Sequence, residues 1–144
     1  RVRTLRGDLV VCHRLGRAMR YAAGVFVVLH ALVHAMYAGQ ALRWFELREG
    51  MAWPLGARLL SSVSDNNLRV FAAITIGIAS VTLVAGGVGI FLDATWGGGV
   101  TVAAAIVLSL LHLLLWDGDL GTSPDQGLYG VIINLVIVAW VVGR

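Results

Sequence analysis

From Val70 to Leu92 the chain carries no charged side chain. A helix over that stretch is about 35 Å long at 1.5 Å per residue, enough to cross the hydrocarbon core of a bilayer. Three more stretches share this character: 21–39, which can continue to Trp44, then 98–116, and the shorter 128–142. Strands are excluded on pattern, because lipid-facing strands alternate with a period of two and these runs do not. The chain is predicted to be all-α and polytopic. Four transmembrane helices form one bundle, in a single integral membrane domain over residues 1–144.

Composition agrees. Of the 144 residues 58% are apolar and 13% charged, against about 45–50% and 25% in soluble domains. That leaves too little polar surface for a soluble enzyme and too much hydrophobicity for a disordered chain. All eleven basic residues are arginines, and they flank apolar spans rather than lining a groove with interleaved aromatics, so no nucleic-acid partner is expected. Tyr21, Trp44, Trp96, Trp116, Tyr129 and Trp140 stand at span ends, where interfacial aromatics belong.

Arginine placement sets the direction. Arg1, Arg3, Arg6, Arg14, Arg17, Arg20 and Arg144 fall on one side of the spans, and Arg43, Arg48, Arg58 and Arg69 on the other. Asp117, Asp119 and Asp125 lie on that second side too. The asymmetry puts both termini in the cytoplasm and turns 40–69 and 117–127 outward. The first apolar stretch is long for a signal peptide and holds two histidines, so it is expected to be an uncleaved helix, preceded by an initiator residue or a longer segment.

Ahead of the first span, Leu5, Leu9, Cys12, Leu15 and Met19 fall on one side of a helical wheel, and Arg3, Arg6, Arg14 and Arg17 on another. This is an N-terminal amphipathic segment, either lying on an anionic inner surface or serving as a positive flank. Cys12 is the one cysteine, so no intrachain disulfide forms. His13, in the same basic segment, is expected to be solvated.

Between Gln40 and Arg69 lies a loop too apolar for a free linker, with a turn signal at Trp53-Pro54 and Gly56. It is expected to lie as short helices capping the outer mouth of the bundle. Ser64 or Asp65 can cap the second helix.

Polar side chains in lipid face protein or water, so they locate the interior. On the first span Ala23, Phe26, His30, His34 and Tyr37 share a face. The second gives Thr75, Ala79, Thr82, Gly86 and Gly89; the third Thr101, Ala105, Ser109, His112 and Trp116; the fourth Gly127, Gly130 and Asn134. Counted from the outer ends, His34, His112 and Asn134 fall at one depth, with His30 a turn deeper.

The candidate cofactor-binding residues are therefore His34, His112, His30, Tyr37 and Asn134. Two histidines from different helices can ligate haem iron, and imidazole also suits a metal such as copper or zinc, or the magnesium of bacteriochlorophyll. A quinone site would use a histidine with an aromatic such as Tyr37. The same histidines can instead only bond a neighbouring helix. Asp117 and Asp119 either bind a cation or mark the outer boundary. Nucleophile, P-loop and dinucleotide motifs are absent.

Trp53-Pro54-Leu55-Gly56, Leu113-Leu114-Leu115-Trp116-Asp117-Gly118 and Gln126-Gly127-Leu128-Tyr129-Gly130 leading to Asn134 resemble a loose group of small four-span bacterial membrane proteins, mostly labelled uncharacterised. The likeness covers roughly residues 50–143 and implies the four-span fold without an activity.

The expected role is a non-catalytic structural or accessory subunit of a larger membrane assembly. Its partners would be the lipid bilayer and other membrane subunits, or further copies of itself. The alternative is a haem-, chlorophyll-, quinone- or metal-binding anchor or electron-transfer subunit using His34 and His112. A small-solute transporter is a third option, weakened because no carboxylate or arginine lies within a span.

Overall fold

In the computed structural model, residues 2–47, 49–51, 53–54, 56–122 and 125–143 are described, with side chains from residue 14 onward. The side chains of Arg1, Arg3, Arg6, Leu5, Leu9, Cys12 and His13 lie outside the described residues, as do Arg48, Leu55 and Arg144. The described residues are helical and contain no strand. Helix α1 spans Val2–Ala41, α2 Asp65–Phe91, α3 Gly97–Leu114 and α4 Leu128–Val142, with one 3-10 turn at Arg58–Leu60.

Three of these helices, over Arg14–Ala41, Asp65–Phe91 and Gly97–Leu114, are long and apolar enough to cross a membrane. That is compatible with an integral membrane protein. The fourth has the expected bounds but only 15 residues, about 22 Å against the roughly 30 Å hydrocarbon core. Its length alone does not make it a span.

The helices run alternately up and down. The last turn of α1 meets the start of α2 where Arg69 Nε donates to Ala41 O at 2.9 Å. At the opposite end, Arg20 on α1 pairs with Asp93 just past α2. We call the first of these the loop end and the second the termini end.

α1 is one uninterrupted helix, rather than an amphipathic segment followed by a separate span. No proline stands between Val2 and Ala41 to stop it. It ends where Arg43 turns to a φ of 60°, while Trp44 N donates to Gly39 O and Arg43 N to Gln40 O. Asp93 closes α2 in the same way, with a φ of 63° and with Ala94 N donating to Gly89 O. Both are left-handed C-terminal caps of the kind glycine usually supplies. At its other end α2 starts as expected, with Ser64 Oγ accepting from Asn67 N at 3.4 Å.

Glycines set the close crossings. A Cβ on Gly24 would stand 2.8 Å from Phe91 Cβ and 2.9 Å from Gly87 O, which brings α1 onto α2. A Cβ on Gly86 would stand 2.7 Å from Thr101 N, and one on Gly89 2.7 Å from Gly97 Cα, which brings α2 onto α3. Around these contacts Val27, Ala31, Ile76, Leu83 and Leu108 form the buried core.

Two expected faces shift. Thr75 and Thr82 are half-buried and not inward, a position they tolerate since each hydroxyl donates to its own helix, to Phe71 O at 2.7 Å and Ile78 O at 2.9 Å. A threonine satisfied that way places no demand on a neighbour. Ala79, Gly86 and Gly89 are buried as expected, and Ala72, Ile76 and Leu83 are buried with them. On α1, Phe26 is exposed rather than inward. Leu15 and Met19 are exposed as well.

The 40–69 loop folds back over the loop end, mostly as irregular chain and with less helix than expected. Arg58 N donates to Trp116 O at 3.0 Å, and Gln40 Nε2 donates to Met51 O at 3.4 Å. Trp53 is fully buried. Asp117 and Asp119 serve their own turn. Asp117 accepts from Asp119 N and Gln126 Nε2, each at 2.9 Å, and Asp119 accepts from Gly121 N at 2.8 Å.

Candidate functional site

The loop half of the interior holds a column of polar rings. His30, His34 and Tyr37 come from successive turns of α1, His112 from the last turn of α3, and Asn134 from α4. All five are buried. The 3.6-residue repeat of α1 makes i, i+4 and i+7 neighbours on one face, so the first three stack along it.

The geometry is closed. With Asn134 Oδ1 accepting at 2.9 Å, His30 carries its proton on Nε2. The same nitrogen lies 3.2 Å from His34 Nε2, which accepts from it. The proton of His34 is then on Nδ1, which is buried without a partner. His112 Nδ1 donates to Leu108 O at 2.9 Å, so its Nε2 is left as a lone-pair acceptor, also buried without a partner.

Aromatic contacts seal the column. The rings of His34 and His112 meet edge to face with centroids 5.0 Å apart. Tyr37 lies 5.2 Å and Trp53 5.5 Å from the His112 ring. Phe26 stacks parallel on His30 at 6.2 Å from its exposed position. Helix α4 closes the remaining side with two glycines. A Cβ on Gly130 would stand 2.9 Å from His34 Cε1, and one on Gly127 would overlap the edge of the His112 ring.

These residues do not fit a tetrapyrrole held between His34 and His112. Two axial imidazoles must face one another across roughly 4 Å, the sum of two metal–nitrogen bonds. Here the two rings touch edge to face. Among the described residues, no group of three or more His, Cys, Asp or Glu side chains is placed to hold a metal ion.

Helical periodicity brings together the five residues expected here. It does not reveal Trp53, Gln126 or the seating of glycine on imidazole. Trp53 carries one legible signal, an aromatic in a loop too apolar to be a free linker. No protein-family model, no curated protein and no solved structure matches the chain significantly.

Proposed function

We propose that the chain is a four-span integral membrane protein of the bacterial inner membrane, one domain with both termini cytoplasmic, acting as a non-catalytic structural or accessory subunit of a larger membrane assembly. One observation carries this reading: the polar interior is packed ring on ring and glycine on ring, leaving no gap for a macrocycle. Such a column ties three helices and a loop together, the use that buried membrane histidines and asparagines have in helix association. The short α4 would span through local thinning of the bilayer, with Tyr129 and Trp140 near its ends.

The outward surface supports a partner. On α2, Ala73, Ile74, Gly77, Ile78 and Val81 line an open groove, and a Cβ on Gly77 would touch nothing within the chain. Trp44 and Leu59 stand exposed on the segment between α1 and α2.

The test is purification from the native membrane in mild detergent, with an absorption spectrum, metal analysis and the native mass. The proposal expects no Soret or near-infrared band, no stoichiometric metal and a mass above that of the single chain. Gly77→Leu should leave the fold intact and lower that mass. A stoichiometric pigment or metal, or a monomer throughout, would overturn it.

A further inference from the structure

At the termini end, α1 runs on past the close of α2. Arg17, Arg20 and Gly24 share one face of α1 at the i, i+3, i+7 spacing, and Gly24 is the residue seated on α2. The two arginines therefore stand over the turn that leaves α2. Between them and that turn lies an open cleft of about 470 Å³, lined by Gly16, Arg17, Arg20, Tyr21 and Asp93. Arg17 is exposed, as is Arg14 one turn further along the helix. Arg20 is held in place by its pair with Asp93 and by the Tyr21 ring, whose centroid lies 5.3 Å from the guanidinium carbon.

Charge and depth together define what fits. Among the described side chains of this end, Arg14, Arg17 and Arg20 stand against Asp93 alone, a balance of two positive charges. A guanidinium presents a planar fork that matches phosphate. Asp93 is already matched by Arg20, so an added ammonium would meet a carboxylate that has its cation. Counted back from Ala41 at 1.5 Å per residue, Tyr21 lies about 30 Å away, at the far boundary of a hydrocarbon core of that thickness. Arg17 is about 6 Å beyond it, in the headgroup layer.

On the core side of Tyr21 the same α1–α2 seam carries an apolar groove of about 210 Å³, lined by Gly24, Val25, Val28, Leu29, Val88 and Phe91. Phe91 joins the two features: its ring packs on Tyr21 with centroids 4.9 Å apart, and it walls the groove. A basic cleft at headgroup depth, with an apolar groove one turn deeper, is complementary to a molecule with phosphate at one end and hydrocarbon at the other. We infer that this seam binds one anionic phospholipid, its phosphate against Arg17 and Arg20 and one acyl chain between Val25 and Val88. The inference rests on the chain spanning a bilayer, not on what it assembles with.

Native mass spectrometry of the full chain in mild detergent tests it, because each bound lipid adds a resolved mass. Dioleoylphosphatidylglycerol should load one lipid per chain before any other, at least about fivefold more tightly than dioleoylphosphatidylcholine, the worth of one arginine beside an anionic headgroup. Arg17→Gln should lower that first affinity about fivefold. Arg58→Gln, which removes the same charge from the exposed surface of the loop end, should leave it unchanged. Val25→Trp crowds the groove from an exposed position and should weaken phosphatidylglycerol binding with every arginine in place. Inorganic phosphate should not displace the lipid. Equal loading of the two lipids, a ladder of equal steps without a preferred first site, no difference between Arg17→Gln and Arg58→Gln, unchanged binding in Val25→Trp, or displacement by inorganic phosphate would each overturn the inference. None of these outcomes depends on the accessory role, which native mass and pigment content test separately.

Discussion

Gly127 lies against the edge of the His112 imidazole so closely that a Cβ at this position would overlap Cδ2 and stand 2.6 Å from Nε2. The same residue has a φ of 94°, a conformation that L side chains rarely adopt. Two demands meet at one position. It must turn the chain into α4, and it must let α4 settle on α3.

Gly127→Ala should therefore be among the costliest small substitutions in the protein, at about 2 kcal/mol or more from strain and overlap together. Thermal melting in detergent checks it. Gly130→Ala meets only the His34 ring, at 2.9 Å, and should lower the melting temperature less.

At the α2–α3 crossing, Gly86→Leu should destabilise strongly, because the added side chain meets the backbone of Thr101. Val81→Leu should be nearly neutral, since Val81 is 71% exposed on the outward face of α2. Equal melting of the two variants would mean that α2 packs through another face.

Asn134→Leu removes the nearer acceptor of His30 and leaves its buried N–H with only the longer contact to His34 Nε2. The cost should be about 1–3 kcal/mol. A double-mutant cycle with His30→Leu should give a coupling of about 0.6–1.7 kcal/mol, the range of hydrogen bonds between membrane helices. Additive effects would remove this bond from the account of what joins α1 to α4.

Topology has its own check. A membrane-impermeant thiol reagent on intact cells should miss Cys12 and label a cysteine introduced at Ser123, given the arginine asymmetry. The reverse pattern would invert the protein in the membrane.

Much of the fold is legible because helices declare themselves locally. The apolar run 128–142 coincides with α4, and the face bearing His30, His34 and Tyr37 follows from a 3.6-residue period. What the residues conceal depends on contacts between distant segments. Trp53 reaches His112 only after the loop folds back, and nothing near Trp53 in the chain announces that meeting. Thr75 and Thr82 look inward by residue type, yet their own carbonyl neighbours satisfy them. Arg43 and Asp93 end helices in a conformation for which glycine is the usual signal, so the exact ends of α1 and α2 are invisible to composition.

The unbroken course of α1 has a geometric consequence. Its 40 residues make a rod of about 60 Å, twice the roughly 30 Å hydrocarbon thickness. One crossing by its apolar part, Arg14–Ala41, leaves about 30 Å of helix outside that core.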